Sequence, residues 1–127
     1  MAKKPVFYLC ETCKNLVGML NSSGVTMECC GQDMVEIKAN TVDAAKEKHV
    51  PVGVVAGDKV SVKVGSVAHP MGAEHLIDWV YLQTENGGQR KVLAAGGVPE
   101  AEFVLTGDKA VAVYAHCNLH GLWMSEL

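Results

Sequence analysis

The stretch Lys59-Val60-Ser61-Val62-Lys63-Val64 alternates polar and apolar residues without a break, a period that suits a half-buried strand and no helix. Ile77-Asp78-Trp79-Val80-Tyr81-Leu82 reads as a second strand, and Asn86-Gly87-Gly88 beyond it is a strong hairpin signal. Val50 to Val55, Arg90 to Ala94, Glu102 to Leu105 and Ala110 to Cys117 are further strand candidates, with Gly107-Asp108 as a turn. Short strands at regular spacing, separated by Gly, Pro and Asn, predict an antiparallel sandwich. With 49% hydrophobic residues, a chain of 127 residues can bury such a core without disulfide staples.

The first forty residues follow a different pattern. Cys10-Glu11-Thr12-Cys13 is followed by the adjacent pair Cys29-Cys30 and by Gly31. Two cysteine pairs on short, turn-rich segments describe a four-thiolate metal knuckle, for which zinc or iron is suitable. Neighbouring side chains on an extended strand point to opposite faces, so both Cys29 and Cys30 reach one ion only if the chain bends there. Gly31 can supply that bend, and the tetrahedron should be opened between Cys29 and Cys30. A helical turn is expected over Asn40 to His49, capped by Thr41 or Asp43 and stopped by Pro51. The boundary between the two patterns gives domains of residues 1–38 and 39–127.

Several classes are disfavoured. A net charge of −3 argues against a nucleic-acid partner held by counterion release. No run approaches the roughly 20 apolar residues of a membrane span, and Met1-Ala2-Lys3-Lys4-Pro5 lacks the apolar region of a signal peptide. A cytoplasmic, thiol-reducing setting is the expectation, in which five clustered and unevenly numbered cysteines indicate metal rather than disulfides. No phosphate-cradling loop or nucleophile elbow is present.

Cys117-Asn118-Leu119-His120 offers a thiolate and an imidazole from a single turn, a donor pair suited to zinc, copper or iron. His49, His69 and His75 lie at strand ends or in a loop between strands, where they could converge with that pair at one end of a sandwich. Five nitrogen and sulfur donors exceed the four of a structural zinc and suit a redox iron with one position open. On an extended strand His116 faces away from Cys117 and is left out. Lys46-Glu47-Lys48 reads as a solvated charge run; alternatively Lys48 stands over the open position to attract an anion, with Glu47 able to fill it. Cys117-x-x-His120-x-x-x-Met124 also imitates a blue-copper loop, and a zinc-stapled interaction domain is a third reading.

These motifs together resemble the desulfoferrodoxin family of two-iron superoxide reductases. The resemblance rests on Cys10-x-x-Cys13 with Cys29-Cys30, on Glu47-Lys48-His49-Val50-Pro51-Val52, on Gly65 to Met71 with His75, and on Cys117 to Trp123. It implies an all-β chain: a small desulforedoxin-like knuckle with an Fe(Cys)4 site, then an immunoglobulin-like sandwich. It further implies a ferrous centre with His49, His69, His75 and His120 equatorial and Cys117 axial. Two irons and no haem or flavin would be held. Glu47 would ligate the oxidised iron, and Lys48 would guide superoxide and help its protonation. The implied activity is one-electron reduction of superoxide to hydrogen peroxide without oxygen release, for detoxification. An external donor such as rubredoxin would re-reduce the iron in a cytoplasmic homodimer.

Overall fold

The computed structural model describes residues 3–127, which form two compact units, Lys4–Lys38 and Ala39–Leu127, with Lys3 belonging to the second. In the smaller unit, β1 (Phe7–Leu9) pairs antiparallel with β2 (Leu16–Gly18) on one side and β5 (Val35–Ile37) on the other. A separate hairpin joins β3 (Glu28–Cys29) to β4 (Gln32–Asp33). Phe7, Cys10 and Met34 are its buried apolar residues. So small a core cannot offset the chain entropy of its own folding, and a metal staple is the usual remedy.

The larger unit opens with the short helix α1 (Lys46–His49) and continues as seven strands. One sheet is ordered β10 (Glu100–Val104), β7 (Lys59–Val64), β6 (Pro51–Ala56). The facing sheet is ordered β12 (Gly121–Glu126), β11 (Ala110–Cys117), β8 (Ile77–Thr84), β9 (Gly88–Val92). Every pairing is antiparallel, which is the sandwich the alternating pattern predicts, and the two facing sheets are the immunoglobulin-like arrangement the resemblance implies. Val60, Val62, Val64 and Phe103 from the first sheet meet Ile77, Val80, Leu82, Val113, Ala115 and Cys117 from the second. The valine face of β7 is therefore the inner face.

An irregularity at the start of β8 decides what faces the thiol. His116 pairs with Trp79 and Cys117 with Ile77, so Asp78 has no partner in the register. The extra residue shifts the side-chain phase, and Ile77 and Val80 both face the core despite their odd spacing. Cys117 then ends its strand inside the sandwich with 0% exposure.

The expected capped helical turn over Asn40 to His49 is shorter than the sequence suggests. It begins only at Lys46, after Ala45, and no side chain caps it. Asn40, at the start of that stretch, bonds along β12 instead. Asn40 N donates to Leu122 O at 2.9 Å, Met124 N donates to Asn40 Oδ1 at 2.9 Å, and Asn40 Nδ2 donates to Met124 O at 3.2 Å. Asn40 itself is left-handed, with φ 61°, a conformation asparagine tolerates better than most residues. Pro51 acts as expected: Val50 is already extended, and the chain enters β6.

Replacing Asn40 by Ala removes both side-chain bonds and strains the left-handed backbone. Denaturant unfolding at fixed metal content should show a loss of about 1–2 kcal/mol. Asn40→Gly should recover the backbone part of that loss, and an unchanged midpoint in both variants would contradict the role given to this residue.

Candidate metal centres

The vicinal cysteines meet because a turn places them together. Cys30 and Gly31 form the two-residue loop between β3 and β4, and both are left-handed, with φ of 55° and 73°. Two successive positive φ values are the signature of the type I′ hairpin turn. The bend therefore involves Cys30 itself, not only the glycine that the sequence singled out. Opposite it, Lys14 N donates to Cys10 O and Cys10 N to Asn15 O, both at 2.8 Å, folding Cys10 to Cys13 into a tight knuckle.

The four sulfurs of Cys10, Cys13, Cys29 and Cys30 lie within 4.8 Å of one another. The Cys13–Cys29 separation is 3.6 Å and the Cys29–Cys30 separation 4.0 Å. A tetrahedron with metal–sulfur bonds of about 2.3 Å has edges of roughly 3.8 Å, so the donor set fits one ion. The backbone N–H of Cys13 pulls the Cys10 thiol down to about 6. Hydrogen bonding to the Cys13 and Cys10 sulfurs pushes Cys30 up to about 12. Four thiolates at these spacings need a cation to remain ionised together.

The second group belongs to the sandwich unit. His49 ends α1, His69 and His75 lie in the irregular segment between β7 and β8, and Cys117 and His120 flank the turn from β11 to β12. Ligand atoms of His49, His69, His75 and Cys117 lie within 4.8 Å of one another. His120 joins them through Nδ1, 3.1 Å from His49 Nε2 and 3.7 Å from Cys117 Sγ. Ring centroids are 4.7 Å apart for His49–His69 and His69–His75, 5.1 Å for His75–His120 and 4.9 Å for His120–His49. The His49–His75 separation is 6.3 Å. Four near-equal sides and a longer diagonal describe a quadrilateral of imidazoles, with neighbouring rings steeply inclined to one another.

The tautomers show what this quadrilateral requires. His49 Nδ1 donates to Ala45 O and His69 Nδ1 donates to Pro70 O, both at 2.7 Å, because a carbonyl can only accept. In the neutral rings both Nε2 atoms then carry lone pairs, yet they lie 3.2 Å apart. Two acceptors at that distance need a proton or a cation between them. Burial pushes the His69 imidazolium down to about 4, which disfavours the proton. His75 Nε2 is buried with no hydrogen-bond partner among the described residues. Burial also lowers His75, and the nearby His120, His49 and Lys48 charges add to the effect. The donors fit a soft or borderline cation.

Cys117 is fully buried, and desolvation raises its thiol even though the backbone N–H groups of Leu119 and His120 point at the sulfur. Trp123 closes the interior side: its Nε1 donates to His120 O at 3.1 Å, and its ring lies 5.0 Å from that of His49. Glu47 and Lys48 are exposed on α1. Val67 N and the Ser66 hydroxyl donate to Glu47 O at 2.9 and 3.3 Å, anchoring the turn that carries both charges. Lys48 acts electrostatically on His75, whereas Glu47 is outside the cluster of ligand atoms.

His116 stays out of the cluster as expected and has its own partners. Its Nδ1 is 2.7 Å from Asp78 Oδ1 and its ring stacks on Trp79, 5.2 Å between centroids. Met124 pairs with Tyr114, on the sheet face that His116 shares, so it is turned away from Cys117 and a blue-copper set is not assembled. Trp123 and the carbonyls of Ala45 and Pro70 were not singled out from sequence. Backbone acceptors have no sequence signal, and a lone tryptophan near the end of a strand reads as core.

The fold and the two donor groups define a class: an all-β chain with one four-thiolate site and one site of four imidazoles and a thiolate. Residues 41–126 match the desulfoferrodoxin family profile. The chain is 49% identical to a desulfoferrodoxin from Syntrophotalea carbinolica over 127 residues, covering 99% of each. It is also similar to the crystal structure of the superoxide reductase from Treponema pallidum, with a TM-score of 0.81 and 44% identity over 97% of this chain and 99% of that one. A superoxide reductase from Giardia intestinalis, described as 1Fe-SOR, matches with a TM-score of 0.54 and 32% identity over 65% of this chain and 98% of its own. The chain belongs to the desulfoferrodoxin family. Its two donor groups fit that family's two iron sites.

In metal-free protein, the depressed His69 gives a signed pH dependence. The unfolded chain binds a proton near pH 6.5 that the folded chain refuses until about 4. Stability of the apo form should therefore be full above about 6.5 and fall as pH drops toward 4. Chemical denaturation of chelated protein across that window checks this; a flat profile would contradict it.

Proposed function

We propose that this chain is a superoxide reductase, reducing superoxide to hydrogen peroxide by one electron and releasing no oxygen. The observation that carries the reading is the quadrilateral of imidazoles with a buried thiol as fifth donor. Five donors leave a six-coordinate ion one position for a small ligand. His49, His69, His75 and His120 would hold the iron through their imidazoles, with Cys117 supplying a thiolate. Cys10, Cys13, Cys29 and Cys30 would hold the first iron. Residues 1–38 are assigned as the desulforedoxin-like domain and 39–127 as the reductase domain. Solved relatives titled superoxide reductases support the assignment.

When bound, ferrous iron supplies the electron. The chain's own residues set the conditions for its transfer. Lys48 draws the anion toward the imidazoles and stabilises the charge that accumulates as the electron arrives, and it helps deliver one of the two protons needed for peroxide. Cys117 would donate electron density from its buried position, moderated by the Leu119 and His120 amides. Glu47, on the same turn as Lys48, is assigned as the carboxylate ligand of the oxidised site. Nδ1 bonds to Ala45 and Pro70 keep His49 and His69 in the tautomer that presents Nε2.

Each turnover consumes one electron, so an external donor is required, and a rubredoxin-like protein is the assigned partner. None of the five cysteines is joined in a disulfide, which supports a cytoplasmic, reducing setting. No helix among the described residues is long and apolar enough to cross a membrane. Exposed Leu20 and Val25 in the smaller unit, and Val52, Val54 and Val55 on the edge strand β6, support a homodimer.

The test is superoxide consumption by anaerobically iron-loaded protein, scored for both products. One peroxide per superoxide and no oxygen is expected; oxygen at half the superoxide consumed would mark dismutation and overturn the reading. Lys48→Ala should slow the encounter roughly tenfold and flatten its dependence on ionic strength. An unchanged rate and salt slope would remove the steering role.

A further inference from the structure

The segment that carries His75 has no regular secondary structure from Gly65 to Leu76, where β8 begins one residue later. His49 and His69 are each oriented by a bond from their own ring to a carbonyl, and no comparable ring bond is present for His75 among the described residues. Its position is set through the backbone on either side of it. Leu76 N donates to Asn118 Oδ1 at 3.0 Å, and Asn118 Nδ2 donates to Glu74 O at 2.9 Å. Asn118 N in turn donates to Leu76 O at 3.2 Å. One amide side chain thus brackets His75 from both flanks, using its acceptor on one side and its donor on the other.

Asn118 is also the residue between Cys117 and the remainder of the turn that delivers His120. Its side chain therefore registers one ligand segment directly onto the turn that carries two other donors. We propose that Asn118 is a positioning residue, a clamp that makes His75, Cys117 and His120 a single preorganised unit and so sets how firmly the second site retains its metal. The proposal rests on the reading of those side chains as an iron site. No other residue type of this size offers one donor and one acceptor from the same planar group. Aspartate keeps the acceptor toward Leu76 and loses the donor toward Glu74; alanine loses both.

The experiment is a chelator challenge of anaerobically iron-loaded full-length chain, following each iron by its own absorption. Wild type, Asn118→Ala, Asn118→Asp and Asn40→Ala are compared. Asn40→Ala removes another side-chain clamp in the same unit but one that holds no ligand segment. Loss of iron from the second site should be about tenfold faster in Asn118→Ala, in line with other orienting residues around metals. Asn118→Asp should fall in between, and Asn40→Ala should stay within twofold of wild type. The oxidised second site of Asn118→Ala should also show a shifted charge-transfer band, with the four-cysteine site unchanged in both readouts. Release within twofold of wild type in Asn118→Ala, or equal acceleration in Asn40→Ala, would overturn the clamp. Wild-type protein that holds no iron at the second site would instead overturn the reading on which the clamp rests.

Discussion

Two imidazole nitrogens, each with its proton committed elsewhere, face one another at 3.2 Å in the larger unit. That contact is unfavourable for a metal-free protein, and the surrounding fold is arranged to keep it. Ala45 fixes one ring from α1, Pro70 fixes the other from the segment after β7, and both rings are almost entirely buried. Protonation could relieve the repulsion but is resisted by the same burial. A cation relieves it directly. The sandwich thus spends part of its stability on a site whose strain is removed by the ion it selects.

The rest of the site follows from how the strands end. The irregularity beside Asp78 changes the side-chain phase of β8, which lets Ile77 fill the core opposite Cys117. The turn after Cys117 then aims two backbone amides at the sulfur. Those amides and the burial act in opposite directions on the thiol, and burial is the stronger. A sulfur that is reluctant to ionise alone becomes a strong donor once a cation compensates its charge. The outer side carries exposed charge from Glu47 and Lys48, while Trp123 seals the inner side.

Much of this was legible in the residues. The alternation in β7 and the hairpin signal after β8 are consequences of a sheet with one wet face, so the sandwich could be read directly. The donors could be read as well, because few residue types ligate metals and here they recur in loops and at the ends of elements. The opposite orientation of His116 followed from strand geometry alone. The short extent of α1 did not, because Asn40 satisfies its bonding on β12, some 84 residues away in sequence. Nor did the left-handed Cys30, since a cysteine in that conformation is tolerated only where the hairpin and the neighbouring sulfurs hold it. The tautomers of His49 and His69 were also out of reach, as their partners are main-chain carbonyls.

On the proposed reading, the larger unit alone supplies a mixed shell of four nitrogens and one sulfur. X-ray absorption at the iron edge of a reduced Cys13→Ser variant, whose four-cysteine site is disabled, measures that shell most directly. Four nitrogen donors and a single sulfur are expected around the remaining iron. A shell without sulfur, or one of sulfur alone, would contradict it.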